Sequence, residues 1–315
     1  FKRSDIRMTL DYEEDLMFFK NVFSHFGLLD FNLVDIIDYI NKKPDVAQIN
    51  IEMEKAWSEN QNVAWRASGP GKGHASPIVV AGSVFLLTHE EQNQTICLLK
   101  YNAINGAPMG KLVLHRGVVP PSYLHKKNTI ASSTPSSDGK AVYVVAQVGA
   151  VIYASAVSVQ GELLWQKQFG TMHTKHGHGE GASPALHGQT LVVNWDHEGE
   201  SFLVALDSAD GTEKWRVARD EVTSWSTPII TNVDGEQQVI VCGTDKVRGY
   251  RLSDGNVVWE CGGMSANIVA TPVVGNGVLY VGSSYEKRIL MAIKLSGAQG
   301  DITGSDQILW TRTRG

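Results

Sequence analysis

The amino-acid sequence predicts an all-β fold, a partial β-propeller of about five four-stranded blades preceded by a short two-helix segment. The first observation is a tripeptide of small or hydroxyl residues ending in proline, which occurs five times: Ala75-Ser76-Pro77, Ser133-Thr134-Pro135, Ala182-Ser183-Pro184, Ser226-Thr227-Pro228 and Ala270-Thr271-Pro272. The second is a Gly-x-x-x-Trp hairpin at 161–165, 211–215 and 255–259. Successive prolines are 58, 49, 44 and 44 residues apart. One propeller blade needs roughly 40–50 residues, so the period indicates blades within residues 61–315.

The repeated residues have predicted structural roles in such blades. Proline suits the start of a strand, where the missing N–H removes no ladder bond. Each repeated tryptophan is expected to fill the space between neighbouring blades with its large ring. The rings assigned to this role are those of Trp165, Trp215, Trp259 and, at the end of the fifth repeat, Trp310. The β-branched runs between these markers, such as 141–145 and 278–281, are typical of short strands.

The first 60 residues have a different, helical pattern. Two apolar stripes follow helical spacing, Leu16/Phe19/Phe23/Phe26 and Leu33/Ile36/Ile37/Ile40. Asp11 stands at the expected N-cap of a helix from about 12 to 26. Two short helices form too small a core to be stable alone, so we expect this segment to pack on a neighbour.

Composition excludes several classes of protein. The 315 residues carry a net charge of −5, which argues against general nucleic-acid binding, because that needs a basic face. No run approaches the roughly 18 apolar residues of a membrane span. Cys97, Cys242 and Cys261 are far apart and odd in number, which indicates neither a disulfide framework nor a metal cluster. Residue 1 is not methionine, and we interpret the chain as a processed product or a fragment.

Two loop segments are candidate ligand sites. His173, His176 and His178 lie within six residues of one another, a spacing at which neutral imidazoles bind Zn²⁺ or Cu²⁺. The alternative, which the Gly-rich surroundings favour, is a solvated loop whose histidines bond backbone or water. Asp196 and His197 follow the β run 191–195 and are expected in a turn that lines a ligand cleft, with ordinary turn chemistry as the favoured alternative.

The blade starts HASP, ASSTP, HGHGEGASP and SWSTP resemble those of the PQQ-like repeat family. That family includes quinoprotein alcohol dehydrogenases, an outer-membrane assembly factor and secreted propellers, and its resemblance implies seven or eight blades and an extracytoplasmic location. The propeller is therefore expected to be incomplete at the C-terminus. Its dehydrogenases use a tryptophan floor, two adjacent cysteines, and a carboxylate-bound Ca²⁺ with a catalytic aspartate. No two cysteines are adjacent here, so we predict no PQQ and no other cofactor. A triad hydrolase is disfavoured because Gly-x-Ser-x-Gly is missing.

Residues 1–58 resemble a second family. The stretches 6–16, 31–37 and 43–50 are similar to the C-terminal end of cytidylyltransferases of the spore-coat polysaccharide type. The resemblance implies that Asp11 corresponds to an aspartate that helps hold the catalytic Mg²⁺. The family's nucleotide-binding loop is not in this chain, so Mg²⁺ is expected only if that missing part is present. A natural fusion would imply a cytoplasmic location, whereas a junction near 58–62 could also arise from assembling two genes.

These observations favour a non-catalytic propeller that acts as a binding or scaffold module, joined to a cytidylyltransferase remnant. The expected partner is a protein, peptide or saccharide at the propeller face. The alternatives are a quinoprotein-type oxidoreductase and part of a CTP-dependent, sugar-activating nucleotidyltransferase. The sequence leaves the compartment and the ligand open.

Overall fold

The computed structural model describes residues 39, 41–43, 63–120 and 124–314. It divides into two compact units, Phe1–Arg66 and Ala67–Gly315. In the first unit, Tyr39, Asn41 and Lys42 are helical and fall at the end of the second predicted helix. The first predicted helix and Asp11 lie outside the described residues. Within the described residues, no helix is both long and apolar enough to cross a membrane.

The second unit consists of five antiparallel sheets of four consecutive strands each, which we call blades one to five. Blade one contains β1 (Ile78–Val80), β2 (Ser83–Glu90), β3 (Thr95–Asn102) and β4 (Pro108–Arg116). Blade two contains β5 (Ser136–Ser137), β6 (Ala141–Val148), β7 (Val151–Ser158) and β8 (Leu163–Thr171). Blade three contains β9 (Ala185–His187), β10 (Thr190–Trp195), β11 (Phe202–Asp207) and β12 (Glu213–Ala218).

Blade four contains β13 (Ile229–Val233), β14 (Glu236–Cys242), β15 (Lys246–Arg251) and β16 (Val257–Gly262). Blade five contains β17 (Val273–Gly275), β18 (Val278–Ser283), β19 (Arg288–Lys294) and β21 (Ile308–Arg314). Between its last two strands, β20 (Gly300–Asp301) pairs in parallel with β16 of blade four. A single 3₁₀ turn, Lys175–Gly177, lies between blades two and three. The predicted fold class, an all-β partial propeller of about five four-stranded blades, is confirmed for this unit.

Each inner blade is buried on both faces because side chains alternate along its strands. In β6, Val142 and Val144 join a hydrophobic cluster with Phe85 and Leu87 of blade one. Their neighbour Tyr143 joins a different cluster, shared with blade three. The remaining clusters connect blades three and four, and blades four and five, in the same way. The core is therefore a series of layers between successive sheets.

The repeated tripeptide forms a joint between blades. All five prolines (Pro77, Pro135, Pro184, Pro228 and Pro272) immediately precede the first strand of their blade. The middle residue supplies the link: the backbone N–H of Ser76 donates to Thr134 Oγ1 (3.0 Å), and that of Thr134 donates to Ser183 Oγ (2.9 Å). The N–H of Ser183 donates in turn to Thr227 Oγ1 (3.0 Å). The same position in four consecutive blades thus connects each blade to the next.

The tryptophans of blades two and three form a second, outer joint. The indole N–H of Trp165 donates to the carbonyl oxygen of Ser208 (2.9 Å) in the last hairpin of blade three. A Cβ on Gly211 in that hairpin, where φ is +73°, would lie 2.8 Å from the Trp165 ring. Trp215 repeats this arrangement in blade four, donating to the Leu252 carbonyl (2.8 Å) and lying against Gly255.

Trp259 is placed differently. Its indole N–H donates to Gln238 Oε1 (2.9 Å) within its own blade, and the ring lies over Gly249, where a Cβ would be 2.2 Å from Nε1. It is fully buried, whereas Trp165 is 8% exposed and Trp215 is half-buried. The cause is β20, which pairs with β16 beside this residue, so that Trp259 is opposite Gly300.

Candidate functional site

One edge of the blades carries all the segments that a ligand site needs. In a four-stranded antiparallel sheet, the connection to the next blade and the turn between the second and third strands lie at the same edge. A cavity of about 560 Å³ is formed there by connections from blades one to two, two to three, three to four and four to five, and by the β18–β19 turn. We call it the histidine pocket and define it by Lys127, Lys175, His178, Glu180, Trp225 and Tyr285.

Hydrogen bonds between successive connections fix the shape of the pocket. The side-chain amide of Asn128 donates to the carbonyl oxygens of His178 and Glu180, the latter at 2.8 Å. The indole N–H of Trp225 donates to the Gly179 carbonyl (2.9 Å). The backbone N–H of Trp225 donates to the Ile268 carbonyl (2.8 Å). Four segments that are distant in sequence are thus held together by backbone and side-chain bonds.

An aromatic wall surrounds His178. Its ring lies 4.2 Å from the His125 ring and 5.4 Å from Trp225, which it meets edge to face. Partial burial lowers the pKa of His178, and neighbouring His125 and His176 lower it further. The ring is therefore neutral at pH 7 and offers both a donor and an acceptor nitrogen.

Glu180 is the buried carboxyl group of the pocket. Burial raises its pKa to about 8, although the backbone N–H groups of Ser132 and Ser133 oppose this shift. No donor in the described part of the chain reaches its Oε2. At neutral pH the carboxyl is mostly protonated, and it can donate a hydrogen bond to a bound group. The same side chain lines a second, much smaller cavity together with Asn194.

Of the three histidines singled out in the sequence, His176 and His178 line the pocket, and His173 does not. The rings of His176 and His178 are 6.3 Å apart. In the described ranges, no group of three or more His, Cys, Asp or Glu side chains is arranged to hold a metal ion. The geometry therefore does not fit a Zn²⁺ or Cu²⁺ site formed by these loops.

Asp196 and His197 lie behind the pocket and hold its loops in place. Asp196 is fully buried and accepts two bonds from Arg219, at 2.7 and 3.0 Å. The Nδ1 atom of His197 accepts from the backbone N–H of His173 (3.2 Å), so its Nε2–H donates to the carbonyl of Glu200 (3.1 Å). Burial lowers the pKa of His197, in agreement with a neutral ring.

The Asp196–Arg219 pair belongs to a buried ionic network between blades three and four. Arg219 also contacts the Tyr250 hydroxyl and lies 3.8 Å from Glu221. Glu221 binds Arg248, which reaches outward to more exposed carboxylates. Buried charges need such partners because an unpaired one is costly. Nothing in the local sequence pattern distinguishes this network from surface charges.

The donor set was tested against a PQQ–Ca²⁺ site. Cys97 lies in blade one, and Cys242 and Cys261 lie in separate strands of blade four; all three are free and buried. Burial raises the pKa of Cys242 to about 12 and that of Cys261 to about 11, so both remain thiols. With no adjacent cysteine pair and no carboxylate cluster in the described residues, the side chains do not fit that cofactor.

The consecutive four-stranded blades and their repeated joints define a β-propeller of the PQQ-repeat class. The family model described as outer membrane protein assembly factor BamB matches residues 116–315, more than half of the chain, and the chain belongs to that family. A comparison with curated protein sequences finds no match.

Solved structures show the same fold. The chain is similar to BamB from Moraxella catarrhalis, with 16% sequence identity and a TM-score of 0.52 over 79% of this chain and 64% of that one. It is also similar to a europium-containing methanol dehydrogenase, with 9% identity and a TM-score of 0.51 over 78% of this chain and 51% of that one. The chain thus spans less than two thirds of the length of either structure.

Sequence reasoning missed the residues that close the pocket. Trp225 was visible in SWSTP and Glu180 in HGHGEGASP, but both were treated as parts of a repeat motif. Their position was the available signal, because residues just before the tripeptide end a connection between blades. Lys127 and Lys175 carry no comparable signal, since nothing in their sequence neighbourhood places them side by side.

Proposed function

We propose that this chain is a non-catalytic binding module and that its partner, a protein or peptide, binds in the histidine pocket. The observation that carries the proposal is the construction of the pocket. Connections from successive blades, bonded to one another, present exposed cationic and aromatic side chains around a cavity of about 560 Å³. Membership of a family described as an assembly factor supports a protein as the partner.

The test is selection of a displayed random-peptide library on the full chain. Tyr285 lines the pocket and is 50% exposed, so Tyr285→Ala removes a contact surface without opening the core. Tyr280, 40% exposed in β18 of the same blade and outside the pocket, gives the matched control Tyr280→Ala. We expect selected peptides to bind the parent and Tyr280→Ala alike, and to bind Tyr285→Ala at least several-fold more weakly.

Two results would contradict the proposal. Enrichment of no peptide above background would remove the binding function for peptides. Peptides that bind Tyr285→Ala as tightly as the parent would place the binding surface elsewhere on the propeller.

The alternative function is a quinoprotein-type oxidoreductase, for which the donor set gives no support. We expect no PQQ-dependent turnover. Alcohol- or sugar-dependent dye reduction after reconstitution with PQQ and Ca²⁺, well above a cofactor-free control, would instead establish the oxidoreductase.

For residues 1–58 we propose a cytidylyltransferase remnant that has no CTP-dependent activity in this chain. Its basis is sequence similarity alone, and the segment lies almost entirely outside the described residues. One carboxylate is not enough for catalysis with Mg²⁺, which usually needs substrate phosphates held by a dedicated loop. Release of pyrophosphate from CTP with a sugar phosphate and Mg²⁺ would overturn this proposal.

A further inference from the structure

We propose that the histidine pocket recognises an acidic peptide, one that presents carboxylates beside an apolar or aromatic side chain. The inference rests on the proposed function and adds the chemical class of the partner's contact segment. Charge, exposed apolar surface and one buried polar atom carry it.

The ionised side chains around the pocket are cationic. Lys127 and Lys175 line it and are exposed. In the part of the chain that the structure describes, neither ammonium group forms an ion pair with a carboxylate. Glu180 is the one carboxyl group among the described lining residues, and it is largely protonated at neutral pH. The local charge is therefore opposite to the net charge of −5 of the whole chain.

Apolar surface lies between these cations. Val269 is 66% exposed and Tyr285 is 50% exposed, although both line a cavity rather than a convex surface. Trp225, half-buried between Gly179 and His178, forms the wall behind them. Burial of a Leu- or Phe-sized side chain against such a surface contributes binding energy that a purely ionic ligand would lack.

The unpartnered Oε2 atom of Glu180 gives the site a directional contact. A buried polar atom without a partner is costly, and a ligand that supplies one recovers that cost. A protonated carboxyl can donate to a carboxylate of the ligand, and such charge-assisted bonds are the short, strong ones. The other titratable groups that line the pocket are Lys127, Lys175, His176, His178 and Tyr285.

An acidic saccharide would share the carboxylates with such a peptide. The exposed valine and tyrosine favour the peptide, because sugar rings bind through dense hydrogen bonding as well as through stacking. The two ligand classes are therefore separated by experiment.

The experiment measures fluorescence anisotropy of short labelled peptides with the full chain. One peptide alternates acidic with phenylalanine or leucine residues, and its counterpart carries the corresponding amides. The charge variant is Lys127→Gln with Lys175→Gln. The control is Lys140→Gln with Lys294→Gln, which removes the same charge from exposed positions outside the pocket. An oligogalacturonate serves as the saccharide probe.

We expect the acidic peptide to bind the parent and the control at least tenfold more tightly than it binds the charge variant, and tenfold more tightly than its amide counterpart binds the parent. Tenfold corresponds to about 1.4 kcal/mol. Added salt should weaken this binding, since the ammonium groups are exposed.

The outcomes separate this inference from the proposed function. If the amide peptide binds equally well and Tyr285→Ala weakens it, the pocket binds peptides and the acidic preference is wrong. If only oligogalacturonate binds, the ligand class is wrong. If neither peptide binds while other selected peptides do, the inference fails and the binding function remains.

Discussion

Gly255→Ala should destabilise the propeller far more than Gly277→Ala, although both glycines have a φ of +75°. The left-handed conformation costs any other residue about 1–2 kcal/mol, and both variants incur that cost. A Cβ at 277 would meet nothing within 4 Å, whereas one at 255 would lie 2.6 Å from Trp215 Cε3 and 2.7 Å from Val217 Cγ2. Forcing those groups apart adds about 1–3 kcal/mol.

Thermal unfolding followed by circular dichroism measures this difference. For a domain of this size, each kcal/mol shifts Tm by about 2–4 °C, so Gly255→Ala should unfold several degrees below Gly277→Ala. The two variants share the same chemical change and the same backbone conformation, and only the outer joint between blades three and four distinguishes them. Equal unfolding temperatures would refute the role assigned to that joint.

Three further predictions follow from the same structure. Trp215→Ala should cost about 3–5 kcal/mol, and Trp259→Ala should cost more because that ring is fully buried; urea unfolding that shows the reverse order would contradict the burial argument. Arg219→Met should cost about 3–5 kcal/mol by leaving its buried carboxylate partner unpaired, and an unchanged urea midpoint would count against the ionic network. Because the pKa of Glu180 is raised to about 8, its contribution is complete below about pH 4.5 and is lost as pH rises to 8, at about 1.4 kcal/mol per pKa unit, so Glu180→Gln should gain stability relative to the parent over that range. His197 has a lowered pKa, so its contribution is present above about pH 6.5 and is lost on acidification, which His197→Gln should abolish.

The fold could be predicted because its evidence is periodic. Five prolines at blade-length spacing mark the first strand of every sheet, and each sheet then follows in simple chain order. The physical reason for the tripeptide was less visible. Its proline was understood, but the middle residue, as in Thr134 and Ser183, forms the bond to the next blade. A hydroxyl at that position looks in sequence like an ordinary turn residue.

Where one blade departs from the repeat, sequence spacing predicted less. Trp259 has the same Gly-x-x-x-Trp spacing as Trp215, yet β20 changes its surroundings. That strand consists of Gly300 and Asp301, which have no β propensity that could reveal it. Asp196 was similarly ambiguous, because a turn aspartate and a buried ion-pair partner have the same local sequence. The pocket depends on contacts between residues 50 to 150 positions apart in the chain, which no local pattern encodes.

The bonds between successive tripeptides have a consequence for how such a protein can change in evolution. In blades two and three the middle residue offers its hydroxyl to the blade before it and its N–H to the blade after it, so one gene segment encodes both halves of the joint. Duplicating such a segment would insert a unit that already matches its neighbours on either side. Surface loops at the shared edge are free to diverge, because the joints do not depend on them. New binding specificities can therefore arise by copying a blade and altering its connections, with the interlocking chemistry inherited unchanged.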